Sequence, residues 1–445
     1  MRAEAEPEAA ARPMEVPGPT AALSLPAGLT EAGVPPGPTE AAAVAPLPQA
    51  GVPPELIEAV AVAPLPEAGV PAERASEPAP ARPAAAARRA GVPGARALYA
   101  AAVPVGGLLT AAVIFGLFML AVGRNPLDVY ALIWRGGFGS SFAWQNTFSR
   151  AAPVILTALA VAIPARMGLI QIGGEGALAL GGLAASLTGI ALSGAGAPLL
   201  VQACMLIAAM VAGGLWIGGV GALKHYRGVN ETISSLLLAY VAIAVFNHLV
   251  EGAFKDPGSL NKPSTRPLDT VHMIGSIPGL DVHWGLAAGI VFCLGAHFVM
   301  RHTRWGFALD TIGANPRVAA LAGLPVGHLI VAGCFAGGAA AGLAGGYEVA
   351  AVHGNANASL IVGYGYTGIL VAFVARHQPL AIVPVAFLFG GIGASSGLLQ
   401  RRLDLPDATV LVLQGVCFLI ILAADPVSDM LRVRLSAARS KGGRT

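Results

Sequence analysis

From Gly176 to Leu223 the chain carries no Asp, Glu, Lys or Arg, and that gap constrains its fold before any motif is read. The run has room for two membrane-crossing helices of about 20 residues each, with a turn at Ser193 to Pro198. Composition agrees. Of 445 residues, 55% are hydrophobic and 11% are charged, where a soluble domain carries about a quarter. The net charge of +3 is small and scattered, which gives no basis for a nucleic-acid partner.

The positions of the basic residues orient the spans. Arg88, Arg89 and Arg96 precede the first long apolar run, Leu98 to Val122, which places the N-terminal side in the cytoplasm. In the outer segment Arg124 to Arg150, Leu127, Tyr130, Ala131 and Trp134 share helical spacing, the pattern of an interfacial amphipathic helix. Ala151 to Ala165 is short and carries Pro153 and Pro164, so it reads as a tilted or broken span. Lys224, His225 and Arg227 return the chain to the cytoplasm. Thr232 to Val250 crosses outward, Glu251 to Val282 forms a polar external loop, and Trp284 to Met300 comes back in. Four further spans follow, over Val326 to Tyr347, Val349 to Ala375, Pro379 to Leu399 and Ala408 to Ala424. The expected fold is all-α, a polytopic transmembrane bundle of about ten helices over residues 91–426. A disordered Pro/Ala-rich tail is expected over 1–90 and a basic cytoplasmic tail over 427–445. The tail repeats AGVPP and AGVPA, but each unit has too few apolar side chains to bury anything. Cys204, Cys293, Cys334 and Cys417 fall singly inside apolar runs and read as packing residues, with no metal spacing. The Gly/Ala series Gly333 to Gly346 allows close helix packing.

Glu175, in GLIQIGGEGALALGG, is the most informative acid. A carboxylate there needs a partner or a water-filled cavity. It lines a substrate path, or it is a structural carboxylate bonded to backbone amides at a helix start, which is the commoner arrangement. Asn230 and Glu231, in GVNETISSLLLAY, read as an N-cap and a favourable first-turn acid, with ligand binding as the alternative. Tyr364 and Tyr366, in GYGYTG, suit stacking on a flat or sugar-like substrate as well as they suit an interfacial aromatic belt. Between two apolar spans lies the polar island Thr303 to Val326, TRWGFALDTIGANPRVAALAGLPV. Asn315-Pro316 marks a helix start and Gly323 a stop, which predicts a short cytoplasmic helix from Pro316 to Ala322. No GxxxxGK[ST] loop occurs, so any ATP must be handled by another subunit.

Four of these segments resemble one family, the permease subunits of bacterial ABC importers of the branched-chain amino acid and simple-sugar type, in its nucleoside and simple-sugar branch. They are GLIQIGGEGALALGG, GVNETISSLLLAY, TRWGFALDTIGANPRVAALAGL and GYGYTGILVAFVARHQPL. Gln171 and Ala177 depart from the branch's usual amides, Ala239 stands where Asn often precedes the Tyr, and Asp310 replaces a basic residue. The resemblance implies a non-enzymatic permease in the bacterial inner membrane, with no cofactor of its own and with ATP and Mg on a partner ATPase. A second permease chain, an extracytoplasmic substrate-binding protein and membrane lipid would complete the assembly. It implies a substrate pathway along Gln171, Glu175, Asn230, Glu231, Tyr364 and Tyr366. It implies ATPase coupling through Gly306, Asp310, Gly313, Asn315, Pro316, Arg317 and Gly323, and bulky residues at Gly313 or Asn315 are expected to uncouple a folded protein. The rival reading, an ion-coupled secondary transporter of a small polar solute, rests on Glu175 as its ion site.

Overall fold

The computed structural model describes residues 93–259 and 262–423, with side chains from 105 onward. The tails expected over 1–90 and 427–445 lie outside the described residues. Among the described residues seven helices are long and apolar enough to cross a membrane, or eight if a bent pair is one span, and two shorter apolar helices, Ala358–Val374 and Ala408–Ala423, accompany them. The all-α bundle is as expected, and the expected count of about ten spans is approximate.

Helix α1 (Pro93–Ala121) turns at Gly123 into α2 (Pro126–Phe138). The two meet at 119°, and the Tyr130 hydroxyl donates to the Ala112 carbonyl across the bend. The amphipathic helix is where the spacing placed it, but it buries Val129, Ile133 and Gly137 while Leu127 and Trp134 stay exposed. A small residue chose this face: a Cβ on Gly137 would lie 2.6 Å from the Gly391 carbonyl oxygen, so only glycine lets the backbones approach this closely.

Helix α3 (Ser141–Ala165) corrects the short broken span. It is one helix of 25 residues, capped by Ser140 and containing both prolines. Proline at 153 frees the carbonyl of Ser149, and His283 Nε2 reaches that oxygen at 3.3 Å, so the interruption is satisfied from another element. Helices α4 (Gly174–Ala191), α5 (Pro198–Arg227) and α6 (Glu231–Glu251) follow as read. Helix α7 (Gly285–His302) leads to α8 (Arg304–Ala314) and α9 (Pro316–Leu321), then to α10 (Val326–Tyr347). The sequence reading gave α9 and missed α8.

The expected single span Val349 to Ala375 is also corrected. A π-helical turn, Glu348–His353, ends α10, and Gly354 and Gly363 sit at φ +67° and +89° before α11 (Tyr364–Val374) begins. The first left-handed glycine ends the π-helical turn and the second precedes α11, so the stretch is not one helix. The intervening segment is held by the external loop, where Thr265 N donates to the Ala356 carbonyl at 3.0 Å and Leu268 N to that of Gly354 at 2.7 Å. Helices α12 (Pro379–Ala394), α13 (Ser396–Leu403) and α14 (Ala408–Ala423) complete the bundle. Helix α10 packs on α3, α4 and α5. A Cβ at Gly342 or Gly345 would run into the Ala209 or Leu178 backbone carbonyl, so the Gly/Ala series does bring the backbones together.

Candidate functional site: two facing helix ends and a cytoplasmic helix pair

Helix α11 has 11 residues, a rise of about 16 Å, half of a hydrocarbon core of about 30 Å. Its N-terminus lies in the interior of the bundle, with N–H groups that have no acceptor within the helix. Glu175, in the first turn of α4 and fully buried, meets them. Its Oε1 accepts from Gly363 N at 2.7 Å and its Oε2 from Gly365 N at 2.5 Å. The positive ends of two helices thus converge on one carboxylate. A Cβ on Gly365 would strike the Glu175 backbone, so glycine is required for the approach. From α3, Thr157 Oγ1 donates to the Tyr364 carbonyl at 2.9 Å.

Gln171 lies on the segment that leads into α4 and is buried; its Nε2 points at Cys334 Sγ, 3.6 Å away, and its Oε1 has no partner among the described residues. The neighbouring backbone is stitched to α6, Ile172 N donating to Ser235 Oγ at 3.1 Å and Thr232 Oγ1 to the Ile170 carbonyl at 3.2 Å. Asn230 caps α6, its Oδ1 accepting from Thr232 N at 3.0 Å and Ile233 N at 3.1 Å. Glu231 pairs with Lys224 at 2.8 Å. Neither joins the Glu175 junction.

Tyr364 and Tyr366 are separated. Two residues apart on a helix they point to nearly opposite sides. Tyr364 lines an outer cavity of about 310 Å³ with Arg150, Thr367, Asp407 and Gln414. Tyr366 is 40% exposed and lies beside Tyr240 of α6, itself 58% exposed. Tyr240 was not singled out from the sequence, although it closes the GVNETISSLLLAY segment; its signal is a lone aromatic hydroxyl in an otherwise apolar span. The preceding Ala239 is buried against Gly176, whose Cβ would lie 2.8 Å from the Ala239 Cα. That position is a helix contact, where an amide would not fit.

Between α7 and α10, Thr303 caps α8 and Asn315 caps α9, its Oδ1 accepting from Arg317 N at 2.9 Å and Val318 N at 3.3 Å. Pro316 occupies the first position of α9, and Gly323, at φ +79°, follows it. Asp310 pairs within the chain, with Arg166 at 3.3 Å. Gly306 and Gly313 abut the backbones of Met300 and Arg166 so closely that neither has room for a Cβ. Phe307, Val318 and Leu321 are 70%, 53% and 89% exposed, three apolar side chains open on the two short helices.

The family described as the permease component of branched-chain amino acid transport systems matches residues 144–422. The chain is 31% identical over 333 residues to the glucose ABC transporter permease protein TsgB13 of Haloferax volcanii, covering 72% of this chain and 87% of that protein. It is 30% identical over 314 residues to the guanosine ABC transporter permease protein NupP of Bacillus subtilis, covering 66% and 87%. Similarity extends to the probable riboflavin import permease protein RfuC of Treponema pallidum, 27% identical over 320 residues.

Proposed function

This chain belongs to the family of branched-chain amino acid transport permease components, and from that premise we propose that it imports a nucleoside or simple sugar with energy supplied by a separate ATPase. It is an inner-membrane ABC permease, and such permeases work with ATPase and substrate-binding partners.

The observation that carries the mechanism is the apolar patch of Phe307, Val318 and Leu321 on α8 and α9. Apolar groups of this size facing the cytoplasm mark a protein contact. The ATPase docks there, and its movement enters the membrane through α7 and α10, the spans on either side. The intrachain pair Arg166–Asp310 ties α8 to the end of α3, so Asp310 positions the helix pair. On the face of α6 and α11, Tyr240 and Tyr366 offer aromatic surfaces and hydroxyls, groups suited to a base or a sugar. This face meets the second permease chain, and the substrate passes between the two. The substrate class is supported by the glucose and guanosine relatives.

Uptake of labelled nucleosides and sugars by cells with and without the gene, with the proton gradient collapsed and ATP maintained, tests this. Gene-dependent uptake that persists supports the ATP-driven importer. Uptake that disappears with the gradient refutes it.

A further inference from the structure

Helices α7 and α10 leave a groove between them of about 530 Å³, backed by α3. Leu159, Val291, Val299 and Phe335 line it, Gly295 opens onto it, and Trp305 lies at its inner end. No charged side chain faces it. From Val291 to Met300 the groove follows α7 for about 14 Å of rise, half of a hydrocarbon core of about 30 Å, so it spans one leaflet. The leaflet is the cytoplasmic one, because the groove ends beside Arg301, His302 and Arg304, all exposed. No acidic residue occurs between Asp281 and Asp310, and Asp310 is held by Arg166. Arg301 and Arg304 have no ion pair among the described residues. An indole at headgroup level beside two unpaired guanidinium groups is a place for a phosphate.

We infer that this groove seats an acyl chain of an anionic phospholipid of the cytoplasmic leaflet, with its headgroup phosphate held by Arg301 and Arg304. The groove supplies the length and apolar lining for the chain, and the two arginines supply the preference for negative charge. The inference rests on the membrane orientation and is independent of the substrate. The site adjoins the start of α8.

The test uses the assembled transporter in nanodiscs of equal parts phosphatidylcholine and phosphatidylglycerol, with retained lipid counted by native mass spectrometry after mild extraction. Phosphatidylglycerol is expected to be retained over phosphatidylcholine by about tenfold or more. A Cβ on Gly295 meets nothing within 4 Å, so Gly295→Trp fills the groove without a backbone clash and should abolish retention. Gly219→Trp, at another open glycine on the exposed surface, should retain lipid as the wild type does. Arg301→Gln with Arg304→Gln should bring the two lipids to parity. Equal retention of both lipids by the wild type, or undiminished enrichment in Gly295→Trp, overturns the inference. So does a crosslink from Gly295→Cys to a neighbouring subunit, which would make the groove a protein interface.

Discussion

Replacing Glu175 should cost more stability than any other single polar change in the described bundle. Both carboxylate oxygens accept a backbone N–H, at 2.7 and 2.5 Å, and the side chain is fully buried. A hydrogen bond to a charged group contributes about 1.5–3 kcal/mol, so Glu175→Ala removes about 3–6 kcal/mol and leaves two buried N–H groups without acceptors. In Glu175→Gln one N–H keeps an oxygen, while the other faces the amide NH₂, donor against donor; the cost is about 2–4 kcal/mol. Asn230→Ala removes an exposed cap and costs about 1 kcal/mol. Cys293, Cys334 and Cys417 are buried, so a thiol-reactive dye reports thermal unfolding of the detergent-solubilised protein. The expected order of loss is Glu175→Ala, then Glu175→Gln, then Asn230→Ala. If Glu175→Gln melts with the wild type, the two-helix clamp is refuted. If that variant also loses only proton dependence of uptake, Glu175 is an ion site.

Leu321→Asp alters a side chain that is 89% exposed; the variant should melt normally yet fail to co-purify with the ATPase subunit. Gly313→Leu should destabilise the protein instead of leaving it folded and uncoupled, because the added side chain meets the Arg166 backbone; a lowered melting midpoint and reduced yield check this. His283 lies outside the spans, where burial holds its imidazole below the usual histidine range. Its Nε2–H faces the Ser149 carbonyl and its Nδ1 accepts from Gly285 N at 3.2 Å, so protonating Nδ1 breaks the second bond. The unfolded histidine titrates near about 6.5 and the folded one lower. The stabilisation is therefore complete above about pH 6.5 and declines as pH falls toward the folded value. Amide protection factors around residues 276–285, which remove the intrinsic pH dependence of exchange, should be lower at about pH 5 than at about pH 7.5, and His283→Gln should flatten that difference.

Span positions were legible because they depend on the length of apolar runs and on arginine placement, both properties of the chain alone. Val326 to Tyr347 was read with the bounds the structure gives to α10. The capped start of α9 was legible for the same reason, since Asn315-Pro316 acts on its own neighbours. What could not be read depends on partners distant in sequence. The proline in α3 looked like a break because its freed carbonyl is answered by His283, 134 residues away. The pairing of Asp310 could not be read because Arg166 lies 144 residues away. The Glu175 carboxylate accepts from amides at the start of α11, those of Gly363 and Gly365, 188 and 190 residues away, which spacing within GGEGA cannot reveal.

The same geometry bears on where the driving force enters. Two carboxylates are buried among the described spans, Glu175 and Glu348. Glu175 has both oxygens engaged by backbone amides, and Glu348 lies 3.7 Å from His353 Nε2 in the π-helical turn. A coupling ion would have to displace the amides from the first, opening the α4–α11 junction at each cycle, or sit at the second, at the end of α10. Work delivered at α8 and α9 needs neither step. Those helices sit between α7 and α10, expose an apolar patch, and pack through Gly306 and Gly313 directly on backbone. Backbone contacts of that kind move as one body, because they leave no side chain to absorb the displacement. On the proposed docking of an ATPase at these helices, a push would pass to α3 at Arg166 and to α7 at Met300 through the backbone contacts of Gly313 and Gly306, and the Glu175 clamp could stay closed while the helices around it move.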